Sequence, residues 1–188
     1  MEQLLAYDSQ LFEFLNSLGS SRWDGFWRVI SYKLSAIPLY ALLLYGIYKV
    51  YGLKNLLITI VIVALLITCV DQLANLFKYG IQRPRPCRVD ALSEHIRFVA
   101  ARCGRYGFFS AHAANSMAAA VFAGLALRSR YPNVIFVLLF WAAMVGYSRI
   151  YLGVHYPGDV LVGWTIGAIF GYLFFRLQQF LIRKYGTI

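Results

Sequence analysis

The run LLITIVIVALLITCVDQLANLFKYG, Leu56 to Gly80, decides what kind of molecule this chain builds. From Leu56 to Val70 it holds no charge, and an unbroken apolar helix of this kind belongs in lipid rather than on the rim of a soluble core. Its last turns then carry Asp71, Asn75 and Lys78, spaced by four and three residues, which places them on one helical face. An acid inside a span is a functional candidate by default. Asp71 is expected to pair with Lys78 or with an arginine nearby.

The rest of the chain agrees with that reading. Of its 188 residues, 60% are hydrophobic and 14% charged, with a mean hydropathy of +0.61; a soluble domain carries about a quarter charged residues. The length suits one domain over residues 1–188, with no linker, repeat or low-complexity tract. The net charge of +10 comes from basic residues lying between apolar spans. Membrane lipids and a bound phosphate are therefore the expected partners, not nucleic acid. The oligomeric state is left open.

The opening MEQLLAYDSQLFEFLNSLGS lacks the basic-then-apolar order of a cleavable signal. Leu4, Leu5, Leu11, Phe12, Leu15 and Leu18, with Asp8 and Glu13 between them, predict an amphipathic helix on the membrane surface, a pattern that an ordinary packed helix would also give. Five spans follow, at about Ser35–Tyr51, Leu53–Tyr79, Ser110–Leu127, Asn133–Tyr151 and Pro157–Ile182. A sixth would require Trp23–Lys33 to insert, against which Asp24, Arg28 and Lys33 argue. The fold class is all-α, a polytopic transmembrane bundle. Gly163, Gly167 and Gly171 recur every four residues on the fifth span, a face for close helix approach. The third span offers Ala111, Ala114, Ala118 and Gly124 in return.

Alternation of the spans brings three polar clusters to one face of the membrane. They are KYGIQRPRP (Lys78–Pro86), FFSAH (Phe108–His112) and SRIYLGVHYPGD (Ser148–Asp159). Lys78, Arg85 and Arg149 supply cations, and an arginine fork matches phosphate geometry. Ser110 can cap the third helix, whose positive end favours an anion beside Ala111 and its neighbours. Pro157 suits the first turn of the fifth helix. Such cations and donors are what phosphoryl transfer needs.

Together the clusters resemble the tripartite signature of the type 2 phosphatidic acid phosphatase superfamily, K-x6-R-P, P-S-G-H and S-R-x5-H-x3-D. Lys78, Arg85 and Pro86 fit the first block, and Ser148, Arg149, His155 and Asp159 fit the third. In the second block Phe109 stands in place of proline and Ala111 in place of glycine, while Ser110 and His112 match. The resemblance implies that His155 attacks phosphorus and becomes a transient phosphohistidine, with Asp159 orienting its imidazole. It implies that His112 protonates the leaving oxygen and then activates water. The phosphate would rest on Lys78, Arg85, Ser110, Ala111 and Arg149. No metal and no cofactor are expected.

The remaining basic loop residues, Arg83, Arg88, Arg97, Arg102 and Arg105, read as interfacial anchors, and His95 as a solvated loop residue. Cys69 reads as a small apolar filler. Cys87 and Cys103, sixteen residues apart in the loop, are expected to form a disulfide, which would place this face in an oxidising compartment. Basic residues on the opposite connections suit the cytoplasm. The convergent face is basic as well, and it is the family resemblance that implies a bacterial inner-membrane enzyme with a periplasmic active site. By resemblance, its substrate is a lipid phosphate or diphosphate of the undecaprenyl diphosphate, lipid A or phosphatidylglycerol phosphate type. Two alternatives stay open: a lipid phosphotransferase, and a non-catalytic lipid-binding or transport protein.

Overall fold

The computed structural model describes residues 2–186, leaving Met1, Thr187 and Ile188 outside the described residues. Seven α-helices are formed: α1 (Glu2–Ser17), α2 (Asp24–Ser31), α3 (Ile37–Ile81), α4 (Asp90–Ser93), α5 (Ala111–Leu127), α6 (Val134–Tyr151) and α7 (Pro157–Tyr185). Among the described residues, α3 together with the short turn before it, α6 and α7 are long and apolar enough to cross a membrane, and α5 is a shorter apolar helix. The protein is an all-α integral membrane bundle.

Helix α3 is two helical arms, not one continuous helix. Gly52 leaves the helical region with φ 76° and ψ 175°, a left-handed φ that glycine adopts without steric cost. The chain turns there. Tyr40, Leu43 and Ile47 of the first arm line the same cavity as Ile67, Asp71 and Lys78 of the second. The predicted break between Tyr51 and Leu53 is therefore present.

The second arm shows why the helix sits where it does. Asn55, Thr59, Ile62, Leu66, Val70 and Ala74 are buried at spacings of three and four, so they form one stripe. Leu57, Ile60, Val61 and Leu65 on the other side are exposed, which suits a lipid-facing surface. Cys69 belongs to that exposed side and fills no gap in the core.

Glycines bring α5 and α7 together, as the sequence pattern predicts. A Cβ at Gly163 would stand 2.7 Å from the Ser110 carbonyl and one at Gly171 2.6 Å from that of Ala118; one at Gly167 would run into the Ala114 carbonyl. Gly124 packs elsewhere: it faces Ile135 of α6. At the far end from the polar clusters, Gln178 donates to Thr59 Oγ1 at 2.7 Å, Gln179 to the Tyr51 hydroxyl at 3.1 Å, and Tyr51 to the Ala126 carbonyl at 2.9 Å. These bonds tie α3, α5 and α7 where buried polar groups would otherwise be costly.

The N-terminal helix is more than a surface helix. Its outer face exposes Leu4, Leu5, Leu11 and Leu18 as expected, but Phe12 and Asn16 are buried. Asn16 Nδ2 lies 3.1 Å from the carbonyls of Arg97, Ile150 and Tyr151, and its Oδ1 accepts from the Arg97 N–H at 2.7 Å. So α1 is anchored over the turn that joins α6 to α7. Helix α2 packs against α6, with Arg28 Nε donating to the Val99 carbonyl and Asp24 paired with Arg97 at 2.9 Å.

Candidate active site

The loop between α3 and α5 is held in three ways. Pro84 and Tyr106 form an isolated antiparallel bridge, the Gly107 N–H donates to the Arg83 carbonyl at 2.9 Å, and Cys87 is disulfide-bonded to Cys103. The expected cysteine pair is thus made. Phe109, where proline is usual, is wholly buried against Phe77, and the Phe108–Phe109 peptide is cis.

Lys78, Arg85, Ala111, His112, Arg149 and His155 all line one cavity of about 710 Å³. Lys78 comes from the last turn of α3, Arg85 from the loop, Ala111 and His112 from the first turn of α5, and Arg149 from the last turn of α6. His155 stands in the turn before α7. Ser110 and Asp159 are buried just behind this wall. Ser110 caps α5, its hydroxyl accepting from the Ala113 N–H at 3.5 Å, and its own N–H donates to the Asp159 carbonyl at 3.0 Å. Away from the polar end, the wall is apolar, with Leu43, Ile47, Leu66, Phe122 and Trp141.

His155 is almost fully buried. Its Nδ1 lies 3.3 Å from Asp159 Oδ2, which also accepts the Tyr156 N–H at 3.1 Å. Pro157 occupies the start of α7 and Asp159 its capping-box position, so the geometry that begins the helix also aims the carboxylate at the imidazole. Burial is the main cause that holds His155 well below the ordinary 6.5, with the charges of Arg85, Arg149 and Lys78 adding to it. A neutral imidazole is the nucleophilic form. Arg85 is fixed by Nε donating to the Tyr106 carbonyl at 2.9 Å, and its guanidinium lies against Gly104. A Cβ at Gly107 would stand 3.1 Å from Asp159 Oδ2 and 3.6 Å from His155 Nδ1. Arg149 bonds Ser31 of α2 through Nη1, and its Nε is buried with no hydrogen-bond partner among the described residues.

Three positions differ from the sequence reading. Arg83 is not a free interfacial anchor. It bridges Asp159 Oδ1 at 3.0 Å and Asp8 Oδ2 at 2.7 Å, with its guanidinium 3.9 Å above the Tyr156 ring. Arg97 likewise pairs with Asp24. Asp71 accepts from Asn115 Nδ2 at 2.7 Å; the expected cation, Lys78, is near enough to feel its charge but makes no direct ion pair with it among the described residues. Asp8, which also accepts the Gly158 N–H at 2.7 Å, was the residue with least warning: its only signal was an acid on an amphipathic helix, where acids are ordinary. His95 is exposed, as predicted.

The arrangement can hold a phosphate among cations, present a neutral imidazole to it, and accommodate an apolar tail. Among the described residues, no three His, Cys, Asp or Glu side chains are grouped to hold a metal ion. The PAP2 superfamily pattern matches residues 52–183, and the chain belongs to that superfamily. The chain is 37% identical over 182 residues to a lipid A 4'-phosphatase of Bacteroides thetaiotaomicron, covering 95% of this chain and 80% of the relative. It is 30% identical over 184 residues to a lipid A 4'-phosphatase of Porphyromonas gingivalis, covering 96% and 76%. Its fold is similar to the crystal structure of a transmembrane PAP2-type phosphatidylglycerolphosphate phosphatase from Bacillus subtilis, with a TM-score of 0.76 at 19% identity, covering 96% of this chain and 89% of that one.

Proposed function

We propose that this lipid phosphatase hydrolyses the phosphate monoester of a lipid A-type glycolipid, through a phosphohistidine on His155. The observation that carries the reaction is the convergence of Lys78, Arg85 and Arg149 with His112 and His155 at one end of an otherwise apolar cavity. The two lipid A phosphatases that match nearly the whole chain favour the substrate.

In the first step the free imidazole nitrogen of His155 attacks phosphorus while the bond to the sugar oxygen breaks, and His112, entering the step protonated, gives that oxygen its proton and becomes neutral. Asp159 stabilises the positive charge that develops on His155. The three cations bind the equatorial oxygens, where charge is spread in the transition state. In the second step His112 takes a proton from water as the water attacks phosphorus. Inorganic phosphate leaves and neutral His155 is restored. The helix start at Ala111, capped by Ser110, adds backbone donors.

No metal takes part in this scheme. Residues 1–188 act as one domain, a reading supported by the bonds that join Asp8 and Asn16 of α1 to the site loop, to α6 and to α7. The Cys87–Cys103 bond supports an oxidising side for the active face, hence the periplasmic face of a bacterial inner membrane. Phosphate release from lipid A 4'-phosphate, undecaprenyl diphosphate and phosphatidylglycerol phosphate, in detergent with EDTA, tests the reading. Release that is fastest from the lipid A substrate and survives chelation is expected. Release that needs added divalent metal, or transfer of phosphate to another lipid instead of water, would overturn it.

A further inference from the structure

The cavity contains a polar pair that the phosphate chemistry leaves unused. Asp71 of α3 and Asn115 of α5 both line it, joined by the 2.7 Å bond from Asn115 Nδ2 to Asp71 Oδ1. Asn115 Oδ1 is buried and has no hydrogen-bond partner among the described residues. A simple tie between helices would need neither a carboxylate within a span nor an unsatisfied amide oxygen.

Their depth is informative. Asn115 stands three residues beyond His112, about 4.5 Å along α5, and Asp71 seven residues before Lys78, about 10 Å along α3. A phosphate held by Lys78, Arg85 and Arg149, with its ester oxygen towards His112, brings the next part of the substrate to this pair. Beyond it the wall is apolar. We propose that Asp71 and Asn115 form a subsite for the hydroxyl and amide groups of a sugar that bears the scissile phosphate. The substrate is then a phosphoglycolipid. In a prenyl diphosphate the group next to the scissile phosphate is a second, anionic phosphate, which offers these acceptors no donor and sets its charge against Asp71. The inference rests on the lipid-phosphatase reading of the same cavity.

The test compares kcat/KM of the full chain, Asp71→Asn and Asn115→Ala, on lipid A 4'-phosphate and on undecaprenyl diphosphate. Each variant is expected to lose about tenfold or more on the glycolipid and to lose no more than about threefold on the prenyl substrate. An equal loss on both, or no loss on either, overturns the subsite. If the unaltered protein turns over lipid A 4'-phosphate but the variants leave the ratio unchanged, only the subsite fails; if it turns over neither lipid, the phosphatase reading fails with it. Product inhibition needs no variant: dephosphorylated lipid A should inhibit about tenfold more tightly than undecaprenol, and equal inhibition contradicts the subsite.

Discussion

Asp8, on the N-terminal helix, and Asp159, behind His155, are held by the two ends of one guanidinium, that of Arg83, at 2.7 and 3.0 Å. The same Asp8 accepts the Gly158 N–H at the start of α7. Helix α1 is therefore part of the support that fixes the Asp159–His155 pair.

Removing that support should slow chemistry more than it weakens binding. Arg83→Ala leaves Asp159 with His155 and the Tyr156 N–H as its hydrogen-bond partners, and a lost charge-assisted bond costs about 1.5–3 kcal/mol. A fall in kcat of tenfold or more is expected, with KM within about threefold and partial rescue in Arg83→Lys. Asp8→Asn should give a smaller loss of the same kind. Steady-state kinetics separate this from plain destabilisation, which would lower the active fraction and leave Arg83→Lys no better than Arg83→Ala.

His155 also sets a pH dependence of stability. Its folded-state pKa lies well below 6.5, so below pH 6.5 the unfolded chain binds a proton that the folded chain refuses. The stability contribution is complete above pH 6.5 and falls as pH drops towards the folded value, by up to about 1.4 kcal/mol per pH unit. Thermal unfolding in detergent should show a shallower acid-side decline for His155→Asn than for the unaltered protein.

The disulfide closes a loop across a sequence separation of 16, and a loop of that size is worth about 3 kcal/mol. Cys87→Ser with Cys103→Ser should lower the melting temperature by several degrees, and dithiothreitol should do the same to the unaltered protein only. Free thiols on both cysteines in protein isolated without reductant would contradict the periplasmic placement.

Gly163 tests the helix contact beneath the site. A Cβ there would meet the Ser110 carbonyl at 2.7 Å, whereas one at Gly25 would meet nothing within 4 Å. Gly163→Ala should destabilise by about 1–3 kcal/mol and displace the first turn of α5, while Gly25→Ala should leave melting temperature and activity nearly unchanged.

Much of this was legible in the sequence because the determinants are local or periodic. The spans follow from uninterrupted apolar runs, the Gly52 reversal from the short polar break between two of them, and the α5–α7 contact from glycines at every fourth residue. The residues around the cavity share three short blocks whose order the spans bring to one face. Arg83 escaped because it occupies an unspecified position of the K-x6-R-P block, two residues before Arg85, where an extended segment would put both side chains on one face. Arg85 faces the cavity and Arg83 the back of Asp159. Asp8 escaped because its partners lie 75 and 150 residues away, and helical periodicity carries no information about contacts at that range. Asp71 carried a signal, but charge alone suggested a cation, while the neighbouring helix presents the amide of Asn115.

The central claim is that His155 carries the phosphoryl group, and trapping the intermediate tests it most directly. Protein mixed with substrate labelled with ³²P at the scissile phosphate, quenched in base and digested, should yield label on the peptide containing His155. That label should be stable in alkali and lost in acid, and absent from His155→Ala. Label on another residue, or undiminished turnover by His155→Ala, would contradict the account.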